Sequence, residues 1–318
     1  MASSLLPDLS PADLKLLRVF RTVVECGGFT PAQAELNVSA STISMQMAAL
    51  EARFGMRLCQ RGRVGFRLTD KGTKVYAACL SVFAALDNFR ADVGALSGRL
   101  VGDLNIAIMD NTITNPDARL HEAIGRFATR DNAVHINLHV AEPATLERGL
   151  LDGKFHVGIA AYYHHVPGLA YRLLFREHQA LYCGAKHDLF ERAPSEVTLD
   201  EVCAWRYVAR GYIGRLHMAP IEGLTAAATA YDMEAIAFLI LSGRYIGHLP
   251  AHYAARWVNQ GQMRPILPER FDYHSRFEVA TRKGAPPIRV VEVFLEDLDQ
   301  VYAETDASHR GSGADVDV

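Results

Sequence analysis

The sequence predicts an α/β protein made of a small, mainly helical N-terminal domain, a long connecting helix and a larger domain of two α/β lobes. Three patterns lead to this fold class. Helix-capping signals recur near the N-terminus, apolar residues then follow a heptad spacing, and strand and helix signals alternate through the remainder. A chain of 318 residues is too long for one ordinary core and suits two or three domains.

The composition is that of a globular protein, with 49% hydrophobic and 22% charged residues. No apolar run approaches the roughly 18 residues that cross a bilayer, and the N-terminus lacks the features of a signal peptide, so we expect a cytoplasmic protein. The five cysteines are scattered singly, which favours reduced thiols. A redox switch through Cys183 and Cys203 is the less favoured alternative.

Charge is distributed unevenly along the chain. Up to Lys74 there are ten Lys and Arg against six Asp and Glu, whereas the remainder carries 23 against 30. Seven of the ten basic residues lie between Arg53 and Lys74, where Asp70 is the only acid. A basic segment on an acidic body indicates a contact with a polyanion such as DNA, although a solvated charged face would show the same pattern.

Start signals mark three helices near the N-terminus. Ser10 is expected to cap the first, with Pro11 at its first position. Thr30 is expected to cap a short second helix, and a tight turn at Asn37 separates it from the third. Two short helices joined by a tight turn form a helix-turn-helix.

The third helix is the expected recognition helix, capped by Ser39 and running from Ala40 to about Phe54. In a helix-turn-helix the second helix enters the major groove, where short hydroxyl and amide side chains approach base edges and phosphates. Basic residues around glycines then indicate a β-hairpin wing that contacts phosphates or the minor groove. The candidate DNA-binding residues are Thr30, Ser39, Ser41, Thr42, Ser44, Met45 and Gln46 in the helices, and Arg61, Arg63 and Arg67 in the wing.

This region resembles the N-terminal signature of LysR-type transcriptional regulators. The resemblance is carried by Val38-Ser39 before the recognition helix, Leu50-Glu51 near its end, the turn from Gly55 to Arg61, and the closing Leu68-Thr-Asp-Lys-Gly72. Ala40 and Met45 stand where this family usually has Gln and often has Arg. The resemblance therefore implies a DNA-binding protein but not a particular operator.

A heptad repeat follows the basic segment. Residues 71–97 are expected to be helical, with apolar residues recurring at spacings of 4 and 3. A stripe this narrow on a helix between two domains favours pairing with a second helix, and packing on its own domain is the alternative. The resemblance implies pairing, because the family dimerises through this helix, and a dimer predicts an inverted-repeat operator. The expected dimer seam is Val75, Cys79, Val82, Leu86, Phe89, Val93 and Leu96.

Strand and helix signals alternate through the C-terminal two-thirds, which indicates a largely parallel sheet. Strands are expected at residues 104–109, 134–140, 155–160, 173–175, 180–183, 207–209 and 245–249. Helices are expected at residues 117–127, 145–151, 232–242 and 288–303. Residues 304–318 are rich in Ser, Gly and Asp and are expected to form a disordered tail.

Two such lobes in tandem resemble the effector domain of LysR-type regulators, which has the type II periplasmic-binding-protein architecture. The segment from Gly153 to Ala160 matches a strand of that family, with His156 replacing its usual Asp. The resemblance implies two crossings between lobes, expected near residues 161–165 and 265–273, and a ligand between the lobes. The expected domains are a winged helix-turn-helix at 1–70, a linker and dimerisation helix at 71–98, and an effector-binding domain at 99–303, with lobe I at about 99–161 and 271–303 and lobe II at about 165–268.

Ligands of open α/β sheets bind beyond the carboxyl ends of strands, often at helix N-termini. Helix starts with Thr and Asn favour an anionic group, so we expect a small carboxylate-bearing metabolite, which Arg210 can hold in a bidentate pair. Taken singly, each candidate is explained equally well as a surface or packing group. The candidate effector-binding residues are Asp110, Asn111, Thr112, Thr114, Glu142, Thr145, Tyr162, His164, Arg210, Tyr212, Thr229 and His248.

Thirteen histidines call for metal and catalytic chemistry to be weighed. His135 and His139 fall on an expected strand, where four residues span roughly 13 Å, too far for one metal. Pro250 argues against one helical face carrying His248 and His252. Hydrolase, phosphate-loop and dinucleotide-binding motifs are missing from the sequence, so we expect no cofactor, no metal and no enzymatic activity.

The sequence therefore predicts a transcriptional regulator. It would bind double-stranded DNA at an inverted-repeat operator as a homodimer or homotetramer, respond to a small-molecule effector and act on RNA polymerase, without a membrane partner. The alternative is an α/β solute-binding or enzymatic domain with an accessory DNA-binding head.

Overall fold

The structure is a computed structural model that describes residues 9–62, 65–95, 99–212, 223–284 and 288–311. The chain divides into two compact units, Met1–Asp87 and Asn88–Val318, each with a hydrophobic core of its own. In the described parts of the chain, no helix combines the length and apolar character needed to cross a bilayer.

Three helices open the first unit: α1 (Pro11–Glu25), α2 (Ala32–Leu36) and α3 (Ala40–Phe54). The predicted cap of α1 is confirmed, because the Ser10 side chain accepts from the Asp13 N–H while the Asp13 carboxylate accepts from the Ser10 N–H. Asn37 adopts the left-handed conformation (φ 50°) that turns the chain between α2 and α3. The hydroxyl of Ser39 caps α3, as predicted.

The prediction that Thr30 caps α2 is wrong. Pro31 is already in helical conformation (φ −61°, ψ −36°), so Thr30 lies in the preceding turn and no side chain caps α2. The carbonyl of Thr30 instead accepts from the backbone and side-chain N–H groups of Gln33.

The wing is an antiparallel hairpin of β1 (Cys59–Gly62) and β2 (Gly65–Leu68). Helix α4 (Asp70–Ala95) follows, and the Thr69 hydroxyl accepts the Gly72 N–H at 2.9 Å in its first turn. The core of this unit includes the fully buried Phe20, Ile43 and Leu50. Leu17, Phe20 and Val23 repeat on one face of α1, and Ile43, Met47 and Leu50 on one face of α3, so these faces meet in the core.

The second unit consists of two α/β lobes joined by two long strands. In lobe I lie β3 (Leu100–Ile108), α5 (Leu120–Ala128), β4 (Asn132–Val140), α6 (Pro143–Leu151) and β5 (Val157–Ala161). In lobe II lie α7 (Leu199–Ala204), β7 (Tyr207–Arg210), β8 (Ala226–Ala230), α8 (Met233–Leu241), β9 (Ile246–Pro250), α9 (Ala251–Asn259), β10 (Met263–Pro265) and α10 (Pro268–Phe271). The joining strands are β6 (Leu169–Gly184) and β11 (Tyr273–Arg282), and α11 (Arg289–Gly311) closes the fold.

The sheet is mixed, which corrects the expectation of a largely parallel one. Its strand order is β4-β3-β5-β11-β6-β9-β7-β8, with β10 on β6. The pairs inside each lobe, β4-β3-β5 and β9-β7-β8, are parallel. The central strands β11 and β6 run antiparallel to each other and to their outer neighbours β5 and β9, because they carry the chain between the lobes.

The two short strands expected at 173–175 and 180–183 form one continuous strand, β6. The part up to Gln179 pairs with β11, whereas the part from Gln179 onward pairs with β9 and, on its other edge, with β10. The long strand β6 follows the first expected crossing at 161–165, and β11 follows the second at 265–273. Buried polar residues, Glu177 and Gln179, interrupt the apolar pattern of β6 and make it look like two strands in the sequence.

The expectation that disorder begins at residue 304 is wrong for residues 304–311, which continue helix α11. Phe294 and Leu298 anchor this helix in the core, and helix elongation beyond a packed segment is far easier than nucleation. Residues 312–318 lie outside the described part of the chain.

Candidate DNA-binding and ligand-binding sites

The start of the recognition helix α3 lies on the surface. The Ser39 hydroxyl is occupied as the helix cap and lies 2.8 Å from the Ser41 hydroxyl and 2.9 Å from that of Thr42. Ser41 and Met45 are exposed, Met45 to 69%. A long apolar side chain in water is costly, but in the major groove it can contact a thymine methyl group.

Two glutamine side chains lie beside this surface. The Gln33 side-chain oxygen accepts the Ala40 N–H at 3.0 Å, which ties α2 to the first turn of α3. The Gln46 side-chain oxygen is buried and has no hydrogen-bond partner among the described residues. Thr30 is exposed and Ser44 half-buried.

The recognition helix also fixes the start of the wing. The Glu51 carboxylate accepts the backbone N–H groups of Leu58 and Cys59 at 2.7 and 3.2 Å, which explains the Leu-Glu pair of the sequence signature. Arg67 is exposed on β2. The predicted contacts through the Arg61 side chain and through Arg63 lie outside the described residues.

The expected dimer seam divides into two parts. Cys79 is buried in the core of its own unit, where its thiol donates to the Leu17 carbonyl, and Val75 packs on the same core. The assignment of Cys79 to the seam is therefore wrong, because the helix-on-domain alternative applies to this half of α4. Val82 is half-buried, and Leu86, Phe89 (66%) and Val93 remain exposed. Leu96 lies outside the described residues.

In the second unit, buried polar side chains collect where β6 and β11 run side by side between the lobes. Glu177 and Gln179 are two residues apart on β6 and therefore share one face of the sheet. In the strand register Ser275 lies opposite Glu177, and Tyr273 opposite Gln179. A buried strand pair this polar is unusual in a sheet core and points to a binding function.

Arg210, the last residue of β7, is buried beside these strands. Its Nη2 donates to the Gln179 side-chain oxygen at 2.6 Å and to the His248 carbonyl at 3.3 Å, while Nη1 reaches only the Tyr163 hydroxyl at 3.5 Å. An arginine is charged at every physiological pH. Yet none of the described carboxylates lies within ion-pair distance of it.

Three buried polar atoms near these strands are also unpaired. They are the Arg210 Nε, the Tyr212 hydroxyl and the Ser275 hydroxyl, and none has a hydrogen-bond partner among the described residues. Native proteins leave few such atoms unpaired, so the group calls for an explanation such as a bound molecule. Together with Gln179 and Tyr163 these residues are called the Arg210 site below.

Asp110, two residues after the end of β3, lies at the lobe I side of this site. Its Oδ2 accepts from the Met233 N–H at the start of α8 (2.9 Å) and from the Asn111 side chain (2.8 Å). Burial raises the pKa of Asp110, while the Met233 N–H and the nearby Arg210 charge oppose that rise. Asn111 adopts a left-handed conformation (φ 58°) that makes this tight turn.

The structure brings Asp110, Arg210 and Tyr212 together, and His248 joins them only through its carbonyl. The imidazole of His248 instead packs inside lobe II, between the Tyr207 hydroxyl and the Phe271 carbonyl, and burial lowers its pKa to about 3.

The remaining candidates lie elsewhere. His164 lies 3.6 Å from the Glu147 carboxylate of α6 and Tyr162 lies near the same charge, whereas Tyr163, the residue between them, is the one whose hydroxyl reaches Arg210. The Thr112 hydroxyl is buried against the Met109 carbonyl. Glu142, Thr145 and Thr229 are exposed and have no described side-chain contact with the Arg210 site.

The sequence reasoning missed Tyr163, Glu177, Gln179, His252, Tyr273 and Ser275. The available signal was Glu177 and Gln179 at strand period within an otherwise apolar run. Among the described residues, no cluster of three or more His, Cys, Asp or Glu side chains is suited to a metal. Cys183 is buried, which raises the pKa of its thiol to about 11 and makes it a poor redox centre.

A helix-turn-helix with an attached wing and a two-lobed domain with a buried polar site define a DNA-binding regulator with a ligand-binding domain. Residues 14–73 match the bacterial regulatory helix-turn-helix protein of the lysR family, and residues 97–303 match the LysR substrate binding domain. The chain belongs to the LysR family of transcriptional regulators, and not to an enzyme family.

One of the relatives, similar over nearly its whole length, is nearly half identical to this chain. The HTH-type transcriptional activator BauR of Pseudomonas aeruginosa is 46% identical over 300 residues, covering 93% of this chain and 98% of BauR. The crystal structure of CbnR, a LysR family transcriptional regulator, has a TM-score of 0.63 at 21% identity and covers 91% of this chain and 99% of CbnR. Full-length CbnR in complex with its target DNA gives a TM-score of 0.62 at 21% identity, with coverage of 90% and 99%. These two likenesses show the fold.

Proposed function

We propose that a small molecule bearing a carboxylate binds at the Arg210 site and controls DNA binding by this regulator. The observation that carries the proposal is the buried Arg210 charge without a described acidic partner. Removing a guanidinium from water is costly unless an anion and hydrogen bonds replace the lost hydration. A ligand carboxylate supplies both, and the orphaned Nε and the weakly engaged Nη1 offer it donors.

The test is a thermal-shift panel of short carboxylic acids, each paired with its neutral amide. Acids that bind should raise the melting temperature of the wild-type protein while the amides do not. Arg210→Gln should abolish the response, and Arg206→Gln, an exposed arginine just before the same strand, should keep it. Equal responses to acid and amide, or a full response in Arg210→Gln, would contradict the proposal.

We propose that DNA is contacted by the helix residues Thr30, Ser39, Ser41, Thr42, Ser44, Met45 and Gln46 and by the wing residues Arg61, Arg63 and Arg67. Exposure of Ser41, Met45 and Arg67 supports it. Fluorescence anisotropy on the upstream intergenic DNA of the gene, at several salt concentrations, tests it. Arg67→Gln should lower the salt slope by about one and weaken binding to all sequences alike. An unchanged slope would exclude Arg67 from phosphate contact.

Dimerisation is assigned to the exposed part of α4. Leu86, Phe89 and Val93 follow helical spacings of three and four and present an apolar stripe to solvent. Phe89→Asp should shift the protein toward monomer in analytical ultracentrifugation, whereas Ser81→Asp, on another side of the helix, should not. A dimer that survives Phe89→Asp would place the interface elsewhere.

We also infer that the protein activates transcription in the cytoplasm by a contact with RNA polymerase. The support is the similarity to BauR, which is named a transcriptional activator. In vitro transcription from the upstream region should rise when the protein and its effector are added. A fall in transcript would mean repression instead.

A further inference from the structure

A chain of hydrogen bonds connects lobe I to Arg210. The Thr114 hydroxyl of lobe I lies 2.8 Å from Nδ1 of His252, in the first turn of α9 in lobe II. Nε2 of His252 lies 2.9 Å from Oε1 of Glu177, and the other oxygen of Glu177 accepts from the Gln179 amide. Gln179 in turn accepts from Arg210 at 2.6 Å. Thr114, His252, Glu177 and Gln179 are called the relay.

Glu177 is the member of the relay that most needs hydrogen-bond partners, because its carboxylate is buried and its side chain is only 4% exposed. Its described partners are His252, Gln179 and, at 3.4 Å, the Asn115 side chain. None of these is a lysine or an arginine. The carboxylate therefore depends on the hydrogen bonds of His252, whose side chain is 12% exposed, and of the Gln179 amide.

The hydrogen-bond pattern also constrains the roles of the His252 ring. Nε2 faces a carboxylate, which has no proton to give, so Nε2 must carry the hydrogen. A neutral ring then leaves Nδ1 to accept from the Thr114 hydroxyl. One imidazole can thus hold the buried glutamate and the surface threonine at the same time.

A second tie fixes the same stretch of lobe I. Asp110, four residues before Thr114, accepts the first N–H of α8. The turn from Asp110 to Thr114 is therefore held at one end by the start of α8 and at the other by the first turn of α9, both in lobe II. A segment held at two points keeps the lobes in one relative arrangement.

We propose that His252 and Glu177 are positioning residues of the Arg210 site. They orient the Gln179 oxygen against Arg210 and, through Thr114, hold the lobes in the arrangement seen in this structure. The proposal rests on the proposed function in that Arg210 receives the ligand. His252, Glu177 and Gln179 themselves need not contact that ligand.

Hydrogen exchange measured by mass spectrometry on the full chain, without ligand, tests the relay directly. Thr114→Val keeps the shape of this exposed residue but lacks the hydroxyl, and Thr114→Ser keeps the hydroxyl. We expect Thr114→Val to speed exchange at least about fivefold in residues 110–115 and in the first turn of α9, and Thr114→Ser to match the wild type. Wild-type exchange in Thr114→Val would overturn the proposal, as would equal acceleration in Thr114→Ser.

A second variant separates the bond to Thr114 from the bond to Glu177. His252→Gln keeps a donor within reach of Glu177 but has no atom in the place of Nδ1. It should loosen residues 110–115 as Thr114→Val does, and leave the melting temperature nearly unchanged. Unchanged exchange in this variant would also overturn the relay.

The link to ligand binding is measured with acetate as a minimal carboxylate and acetamide as its neutral control, at constant ionic strength. Acetate should protect the peptide that covers β7 in the wild type, and Thr114→Val should need at least about fivefold more acetate for the same protection. A response that Arg210→Gln loses but Thr114→Val keeps in full would overturn the positioning role. Equal responses to acetate and acetamide would contradict the carboxylate proposal, while the ligand-free exchange still decides on the relay.

Discussion

Gly72, in the first turn of α4, lies against the backbone of Leu58, the residue just before the wing. A Cβ atom added at this position would lie 1.8 Å from the Leu58 carbonyl oxygen, and real Cβ atoms essentially never come within 3.0 Å of a neighbour. Gly72→Ala must therefore displace the carbonyl or the helix by about 1.2 Å. The obstacle is backbone, so no side-chain rotation relieves it.

The cost can be worked out from what the carbonyl does. Leu58 is fully buried, and its oxygen accepts from the Thr69 N–H at 3.0 Å and from the Thr69 hydroxyl at 3.3 Å. Overpacking costs about 1–3 kcal/mol and each weakened hydrogen bond about 1 kcal/mol. Alanine returns about 1 kcal/mol through its helix propensity. The net loss is about 3 kcal/mol, or roughly 12–24 °C in the melting temperature of a small domain.

Calorimetry of the full chain and fluorescence anisotropy on operator DNA measure the effect. Gly72→Ala should lower the head's melting transition and weaken DNA binding, because Thr69 joins the wing to α4. Gly125→Ala is the control, since Gly125 lies inside helix α5 with no atom within 4 Å of the added Cβ. It should raise stability by about 0.5–1 kcal/mol. A Gly72→Ala head with unchanged melting and unchanged DNA affinity would refute the steric reasoning.

Three further predictions concern pH and DNA sequence. The hydrogen bond from the Ser10 N–H, and to a smaller extent that from Arg53, lowers the pKa of Asp13 from 3.8 to about 2. The ionised Asp13 therefore stabilises the fold above pH 3.8, and this stabilisation is lost as the pH falls through 2. Acid unfolding of Asp13→Asn should lack this loss of stability. Burial lowers the pKa of His156 from 6.5 to about 4, so the unfolded chain takes up the proton at a higher pH than the folded protein. The melting temperature should therefore fall as the pH is lowered from 6.5 to 4. It should fall less steeply in His156→Asn, whose side-chain oxygen can still accept the Asn105 N–H. The exposed Met45 should contact a thymine methyl group in the DNA. In a DNA site selected from random duplexes, replacing that thymine by deoxyuridine should weaken wild-type binding about fourfold and leave the affinity of Met45→Ala unchanged. A wild-type affinity that no such replacement changes would contradict the contact.

The N-terminal unit was predictable because its signals are local. Ser10 and Ser39 cap helices within four residues of themselves, and Asn37 needs only its own backbone conformation to make the turn. The failed helix cap, Thr30, came from a competition within the same turn, in which Pro31 already adopts helical angles. Local sequence is sufficient where the deciding contacts are local.

The central strands were not predictable in the same way. Strand β11 was not expected, and β6 was expected as two pieces, because each is specified by partners distant in the sequence. Tyr273 pairs with Gln179, and Phe277 with Phe175, across about a hundred residues. In β6 buried and exposed residues alternate from Phe175 to Gln179, but Glu177 and Gln179 are polar although they are buried, so they look like a break rather than a site.

Arg210 shows how far local sequence can indicate the proposed site. Its position after a strand marked it as a ligand contact, but its relation to Gln179, 31 residues away, and to the His248 carbonyl, 38 residues away, depends on the mixed sheet. These two partners accept hydrogen bonds without neutralising the charge, so they hold the guanidinium in place and leave its charge uncompensated. Such an arrangement lowers the stability of the ligand-free protein, and a bound carboxylate would restore the loss. The relay matters for the same reason. If Arg210 were held at the wrong angle, or if the lobes opened freely, part of the ligand's binding free energy would be used to order the site. Less of it would then be available to change the protein's affinity for DNA.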